Sequence, residues 1–186
     1  MYKMIAVTNR HLCEGDYFEQ IERIAASDVE HIILREKDMT EAQYKELAEK
    51  VLAICNQHQK SCILHTYVNV AKELGVESIH LPLPVLRREQ ERLDGFKKIG
   101  TSIHTIREVK EAEQLGASYL TAGHIYQTDC KKDLQPRGLA FLKSVCEETS
   151  IPVYGIGGIT LARMPEVIEQ GAVGGCFMSA CMKKNF

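Results

Sequence analysis

Residues 151–178 carry the reading that decides the fold. They run Ile151-Pro152-Val153-Tyr154-Gly155-Ile156, a glycine pair Gly157-Gly158, and then Leu161, Met164, Val167 and Ile168 at helical spacing. Gly171 closes that helix, and Val173 to Met178 is a second apolar run. The unit is strand, glycine loop, helix, strand. Its joint recurs: Leu74-Gly75-Val76, Leu115-Gly116-Ala117 and Gln170-Gly171-Ala172 each end a helix on Gly and lead straight into a strand. Glycine supplies the left-handed conformation that turns a helix end back toward a sheet.

Outward from this unit the same alternation covers the chain. Further strands are read at Met4–Val7, His31–Leu34, Cys62–Leu64, Ser78–Leu81, Ile99–Ser102 and Tyr119–Ala122. Pro82 and Pro84 are expected to end the fourth, since neither donates a ladder bond. Between the strands lie a helix after Asp16 with Phe18, Ile21, Ile24 and Ala25 inward, and one that Thr40 and Gln43 open as a capping box. A short helix ends at Gly75, and a charged, exposed one spans Arg87–Asp94. Another has the Thr105/Glu108 box, and one is marked by Leu139, Leu142, Val145 and Cys146. A polar loop from Gly123 to Arg137 separates the sixth strand from its helix.

Eight short strands alternating with helices predict a parallel sheet, and its best closed form is an α/β fold of the (β/α)8 TIM-barrel type in one domain, 1–186. A doubly wound open sheet rarely needs eight units this short. Only seven residues follow Ser179. The barrel is therefore expected to lack the eighth outer helix, with the wall beside strands one and eight open or covered by a partner subunit. A homo-oligomer, a dimer, is the expected assembly.

Composition excludes other classes. The 186 residues are 45% apolar and 26% charged, with 23 Lys+Arg against 25 Asp+Glu and a net charge of -2. That rules out a disordered chain and a disulfide miniprotein, and argues against nucleic-acid or polybasic membrane partners. The seven cysteines include no C-x-x-C pair, and most lie in apolar runs. Free buried thiols imply a reducing compartment, the cytoplasm. The first ten residues are too short an apolar stretch for a signal peptide, and no segment approaches a membrane span.

In this fold chemistry gathers where strands end and βα loops begin. Those positions hold Arg35, Lys37, His65, His80, His104, His124, Lys131 and Lys132, against Glu36, Asp38, Asp129 and Asp133. The local excess is positive and favours an anionic ligand. Gly157 and Gly158 after strand seven, with Met178, Ser179 and Ala180 opening a short helix after strand eight, form a candidate phosphate site. Arg35 and Lys37, two apart in extended chain, point the same way and can grip one anion. His124 is the candidate acid/base, since an imidazole can take and give a proton near neutrality. His31 and His58 read as surface or structural; His80 and His104 fit either role. Cys130 beside two lysines is a weaker nucleophile candidate. No histidine pair has metal-ligand spacing with a carboxylate, so neither metal nor cofactor is expected.

These residues also carry a resemblance. Leu34-Arg35-Glu36-Lys37, Ile99-Gly100-Thr101-Ser102-Ile103-His104-Thr105 and Ile151 to Ile159 resemble the thiamine phosphate synthase/TenI superfamily over nearly the whole chain. Gly123-His124-Ile125-Tyr126-Gln127-Thr128-Asp129-Cys130-Lys131-Lys132 looks like the thiazole tautomerase (TenI) branch. The synthase branch usually has proline where His124 stands and threonine where Cys130 stands. It has an Asn-Asp pair, the Asp binding Mg²⁺, where this chain has His65-Thr66. A second Mg²⁺ aspartate follows its fourth strand, where Leu81-Pro82-Leu83-Pro84 stands here, with no acid until Glu89. It has Gln at the position of Ile33.

The resemblance implies a small phosphorylated thiazole ligand and an isomerase reaction. A thiazole carboxylate phosphate with an exocyclic double bond becomes aromatic by proton transfer, for thiamine synthesis. His124 would be catalytic. Arg35, Lys37, Ser102, Thr128 and Lys131 would bind substrate, and Gly157, Gly158, Met178, Ser179 and Ala180 its phosphate. The alternatives are a thiamine phosphate synthase, which is a transferase, and a non-catalytic binder of thiazole or thiamine phosphates.

Overall fold

A computed structural model describes residues 2–128, 134–184 and 186. Eight parallel strands close in sequence order: β1 (Lys3–Val7), β2 (His31–Leu34), β3 (Ser61–His65), β4 (Ser78–Pro82), β5 (Lys98–Ile103), β6 (Tyr119–Gly123), β7 (Val153–Ile156) and β8 (Gly174–Phe177). Among the described residues seven α-helices lie outside: α1 (Tyr17–Ala26), α2 (Glu41–Gln57), α3 (Val68–Glu73), α4 (Leu83–Glu89), α5 (Arg107–Gln114), α6 (Gly138–Glu148) and α7 (Met164–Glu169). The (β/α)8 barrel is therefore the fold. No helix is long and apolar enough to cross a membrane among the described residues.

Strand alternation sorts the residues into two cores. One face of each strand packs on the helices: Ala6, Ile32, Leu34, Leu64, Ile79, Leu81 and Leu120 meet Ile21, Ile24, Ala48, Val51, Val109, Leu142 and Val167. The other face fills the barrel with Ile5, Val7, Ile33, Ile63, Tyr119, Tyr154 and Cys176. Tyr119 fits because Gly100 lies beside it; a Cβ there would overlap its ring.

Local signals set the helix ends. Thr40 and Gln43 form the expected box on α2, and Asp16 accepts from the Glu19 amide at 2.9 Å ahead of α1. Each such cap contributes about 1 kcal/mol. Gly75, Gly116 and Gly171 all have positive φ, as their helix-ending role requires.

Three expectations need correction. Pro84 does not merely end a strand: it lies in the first turn of α4, which starts at Leu83 and buries Leu83 and Leu86. Proline suits that turn, where its missing N–H is no loss. The charged stretch Arg87–Asp94 therefore holds only the end of α4 and a 3₁₀ turn, Gln90–Arg92. Leu161 is not part of a buried stripe. It begins a 3₁₀ turn, Leu161–Arg163, ahead of α7 and is 62% exposed.

The third correction concerns the end of the chain. Ser179-Ala180 opens no helix; residues 179–182 form turns. The carbonyls there are claimed from the side. Gln20 Nε2 donates to the carbonyls of Cys181 (2.7 Å) and Lys183 (2.9 Å), and the Glu14 amide donates to Met182 (3.1 Å). An eighth outer helix is absent from the described residues. In its place beside β1 and β8 lies an apolar groove of about 690 Å³, with Met4, Leu161, Phe177, Ala180 and Phe186 on its walls.

Closure at the β1–β8 seam pairs Lys3 with Gly174 and Met4 with Gly175. A Cβ at Gly174 would overlap the Lys3 backbone carbonyl. Gly174→Ala is expected to cost about 1–3 kcal/mol through forced backbone displacement. A lower urea midpoint at unchanged slope would show it; an unaltered midpoint would contradict it.

Candidate active site

The C-terminal ends of the strands surround one cavity of about 210 Å³. Arg35, Lys37, Ser102, His124, Thr128, Gly157, Gly158, Met178 and Ser179 all line it, so nearly every residue singled out from the sequence converges there. Ala180 lies one residue beyond and lines the outer groove instead. Lys131 and Cys130 lie outside the described residues. Six cysteines are free: Cys13, Cys55, Cys62, Cys146, Cys176 and Cys181.

Glu36 explains why its neighbours face the cavity. Its carboxylate is buried away from the mouth. It accepts from Thr8 Oγ1 (2.9 Å), Tyr17 OH (3.2 Å), the Arg10 amide (3.1 Å) and Arg10 Nη1 (3.2 Å). Arg35, just past the end of β2, and Lys37, in the turn that follows, line the cavity instead. Arg10 also grips Asp38 through Nη1 (2.7 Å), and His11 Nε2 lies 2.9 Å from the same carboxylate. The Arg10 guanidinium holds Asp38 well below the usual carboxylate range. Both acids of the β2 loop are thus engaged by Arg10. No described carboxylate lines the cavity, while Arg35 and Lys37 do.

Beneath the mouth runs a neutral polar chain. His80 Nδ1 lies 2.9 Å from Tyr119 OH, and its Nε2 lies 2.9 Å from Ser102 Oγ, which also accepts from Thr121 Oγ1 at 2.9 Å. The His65 ring stacks on His80 at 5.6 Å, and its Nδ1 meets Thr66 Oγ1 at 2.7 Å. Burial, aided by Arg35, pushes the His80 imidazole down to about 3; burial, then His80, Arg35 and Lys37, push His65 well below its usual value. Both rings are neutral at pH 7. His65, a wall of the cavity, was missed as a site residue. The signal was present, since Ile63 and His65 share the inward face at the end of β3. His104 also lines the cavity, its Nδ1–H donating to the Gly123 carbonyl at 2.8 Å.

His124 follows β6 directly and is buried, and it is among the residues that line the cavity. Its Nε2 lies 3.3 Å from the Leu134 carbonyl, a group that only accepts, so Nε2 carries the proton. In the neutral ring the lone pair is then on Nδ1. The segment is clamped on both sides. Ile125 N donates to Ile156 O (2.9 Å), and Arg137 N donates to His124 O (2.9 Å).

The glycine pair is required where it stands. Gly157 and Gly158 have φ of 95° and 67°. A Cβ at Gly157 would overlap His124 Cβ, and one at Gly158 would lie 2.8 Å from Tyr126 Cβ and 2.9 Å from Gln127 O. The β7 turn and the His124 segment are therefore packed backbone to backbone. Arg163 holds this turn, donating to Gly158 O at 2.6 Å and stacking on Tyr126 at 4.3 Å.

Metal coordination finds little here. Among the described residues no three His, Cys, Asp or Glu side chains converge. A hard cation such as Mg²⁺ takes oxygen ligands. At the mouth the described donors are imidazoles, hydroxyls and cations, so they do not fit it.

Fold and mouth together define a (β/α)8 barrel whose strand ends surround one cavity walled by imidazoles, hydroxyls, a glycine turn and two basic side chains. The chain belongs to the thiamine monophosphate synthase family, which matches residues 4–181. The thiamine-phosphate synthase of Clostridium acetobutylicum is 36% identical over 93% of this chain and 83% of its own length. That of Syntrophomonas wolfei is 31% identical over 97% and 88%. Among solved structures, thiamine phosphate pyrophosphorylase from Pyrococcus furiosus superposes with a TM-score of 0.83 at 26% identity, over 97% of this chain and 87% of that one.

The buried neutral imidazoles give a pH dependence. Unfolded, His80 titrates near 6.5; folded, it titrates near 3. Between these values the unfolded chain binds a proton that the folded one does not, so stability falls as pH falls below 6.5. The slope is about 1.4 kcal/mol per pH unit for each such imidazole. Urea unfolding at about pH 7 and about pH 5 measures it, and equal stabilities would contradict a neutral buried pair.

Proposed function

We propose that this chain is a thiazole tautomerase: it binds a thiazole carboxylate phosphate across the barrel mouth and aromatises it by proton transfer through His124. The observation that carries this reading is the company His124 keeps. One cavity brings its imidazole together with two basic side chains and a glycine turn, without a described carboxylate in the lining.

The phosphate end is assigned to the loops after β7 and β8: Gly157, Gly158, Met178 and Ser179, with Ala180 adjacent. Arg35 and Lys37 take the carboxylate end, where their charges offset its own. Ser102 and Thr128 supply hydroxyls to the ring. Lys131, assigned by the resemblance, lies outside the described residues. Holding both anionic ends fixes the reacting carbon and spares the orientational entropy of a free encounter. His124, with its lone pair on Nδ1, suits the base that takes a proton from the ring. The electron pair moves toward the exocyclic double bond, and a proton is returned at the exocyclic carbon. Proton count and charge are unchanged, so the reaction needs no cofactor.

The comparisons favour a second reading. Both cited relatives are named thiamine-phosphate synthases, which makes the transferase the natural alternative. A departing pyrophosphate requires strong charge stabilisation, ordinarily from Mg²⁺. The described lining lacks the carboxylates to hold that ion, with His65-Thr66 and Pro82 at the two positions concerned. The site chemistry therefore supports proton transfer over pyrophosphate displacement.

His124→Asn distinguishes the readings. A loss of about 10²–10⁴ in tautomerisation kcat is expected, with ligand affinity within a few-fold of the parent chain. Equal turnover in the variant would contradict the assignment. Mg²⁺-dependent coupling of a pyrimidine pyrophosphate to the thiazole would establish the transferase instead.

A further inference from the structure

The N-terminal end of the barrel, opposite the mouth, holds a second polar cavity of about 460 Å³. Strand alternation builds it. Lys3, His31 and Lys98 begin β1, β2 and β5, on the same inward faces as Ile5, Ile33 and Gly100. Tyr119 and Tyr154 close its inner side, and the layer of Ile5, Ile33, Ile63 and these two tyrosines separates it from the mouth.

The charges in this cavity are unbalanced. Neither Lys3 nor Lys98 makes an ion pair among the described residues; Glu30, at the rim, is the one described carboxylate in the lining. Lys60, close by, is occupied with the backbone carbonyls of Ser27 (3.0 Å) and Val29 (2.6 Å). Lys98 Nζ instead lies 2.8 Å from His31 Nε2. An ammonium only donates, so Nε2 accepts and the imidazole proton is on Nδ1. That nitrogen is buried and has no partner, the sole such side-chain atom among the described residues. A buried donor left without an acceptor forfeits its hydration with nothing in return. Burial, then Lys98, Lys3 and Lys60, push the His31 imidazole down to about 4. The field of three ammonium groups converges on this ring.

A counter-anion would remedy all of this at once. It would accept from Lys3 and Lys98 and offset their charge. It would also release His31 from serving as acceptor to Lys98. The net cationic lining disfavours a divalent cation.

We propose that this basal cavity is an anion site for a small phosphate-type oxyanion, held by Lys3 and Lys98 beside His31 and separate from the site at the mouth. Histidine-selective NMR with inorganic phosphate as the probe tests it. The His31 ring signals should shift saturably with phosphate in the parent chain. They should do so equally in Ser179→Asp, which places a negative charge on an exposed residue of the mouth, at the other end of the barrel. Lys98→Met should weaken that shift at least about tenfold. Lys3→Met, at the exposed first residue of β1, should weaken it to a similar degree. The proposal is overturned if His31 stays unmoved at saturating phosphate. It is equally overturned if chloride at matched ionic strength gives the same shift, or if both lysine variants respond as the parent does.

Discussion

Closure of β8 onto β1 is the constraint on which the rest depends. The seam pairs Lys3 with Gly174 and Ile5 with Cys176, and it forms because glycine at 174 and 175 lets backbones and helices approach. Once the ring is closed, a two-residue period places side chains at successive levels along the axis. Lys3, His31 and Lys98 fall at the base. Ile33, Ile63, Tyr119 and Tyr154 fill the middle, and Arg35, His65, Ser102, Ile156 and Met178 reach the mouth. Both cavities follow from this one geometric fact. A slip of one residue would exchange these groups with the helix-facing leucines and isoleucines.

Charge is then apportioned by partners distant in sequence. Arg10 holds Glu36 and Asp38 away from the mouth, while the interior between base and mouth carries neutral imidazoles, a tyrosine and hydroxyls in a connected chain. The buried groups satisfy one another without ionising, which avoids the desolvation cost of a buried charge. Arg35 and Lys37 line the mouth with no described carboxylate beside them in the lining.

Much of this was legible in the sequence because it is local. The His31–Leu34 strand, the Thr40/Gln43 cap and the glycine-ended helices are written within a few residues of one another. The convergence of Arg35, His124, Gly157 and Ser179 follows from strand order alone. The misses have non-local causes. Glu36 counted as a mouth carboxylate until Arg10 and Thr8, some 26 to 28 residues away, pulled it under the rim. Ser179-Ala180 has a helix-start composition, but Gln20 and Glu14 take the carbonyls that a helix would use. His65 is placed at the mouth by the alternation of β3, but its neutral, stacked state depends on His80, fifteen residues away and on another strand. The two readings of function divide at this same level: overall similarity points to the synthases, and the donors at the mouth point to proton transfer.

Isotope exchange tests the central claim most directly. The aromatic thiazole phosphate carboxylate, incubated with the protein in deuterium oxide without divalent cation, is followed by proton NMR. Protein-catalysed incorporation of deuterium at the exocyclic carbon is the predicted result. Bound ligand that exchanges no faster than in buffer would contradict a proton-transferring imidazole at this mouth.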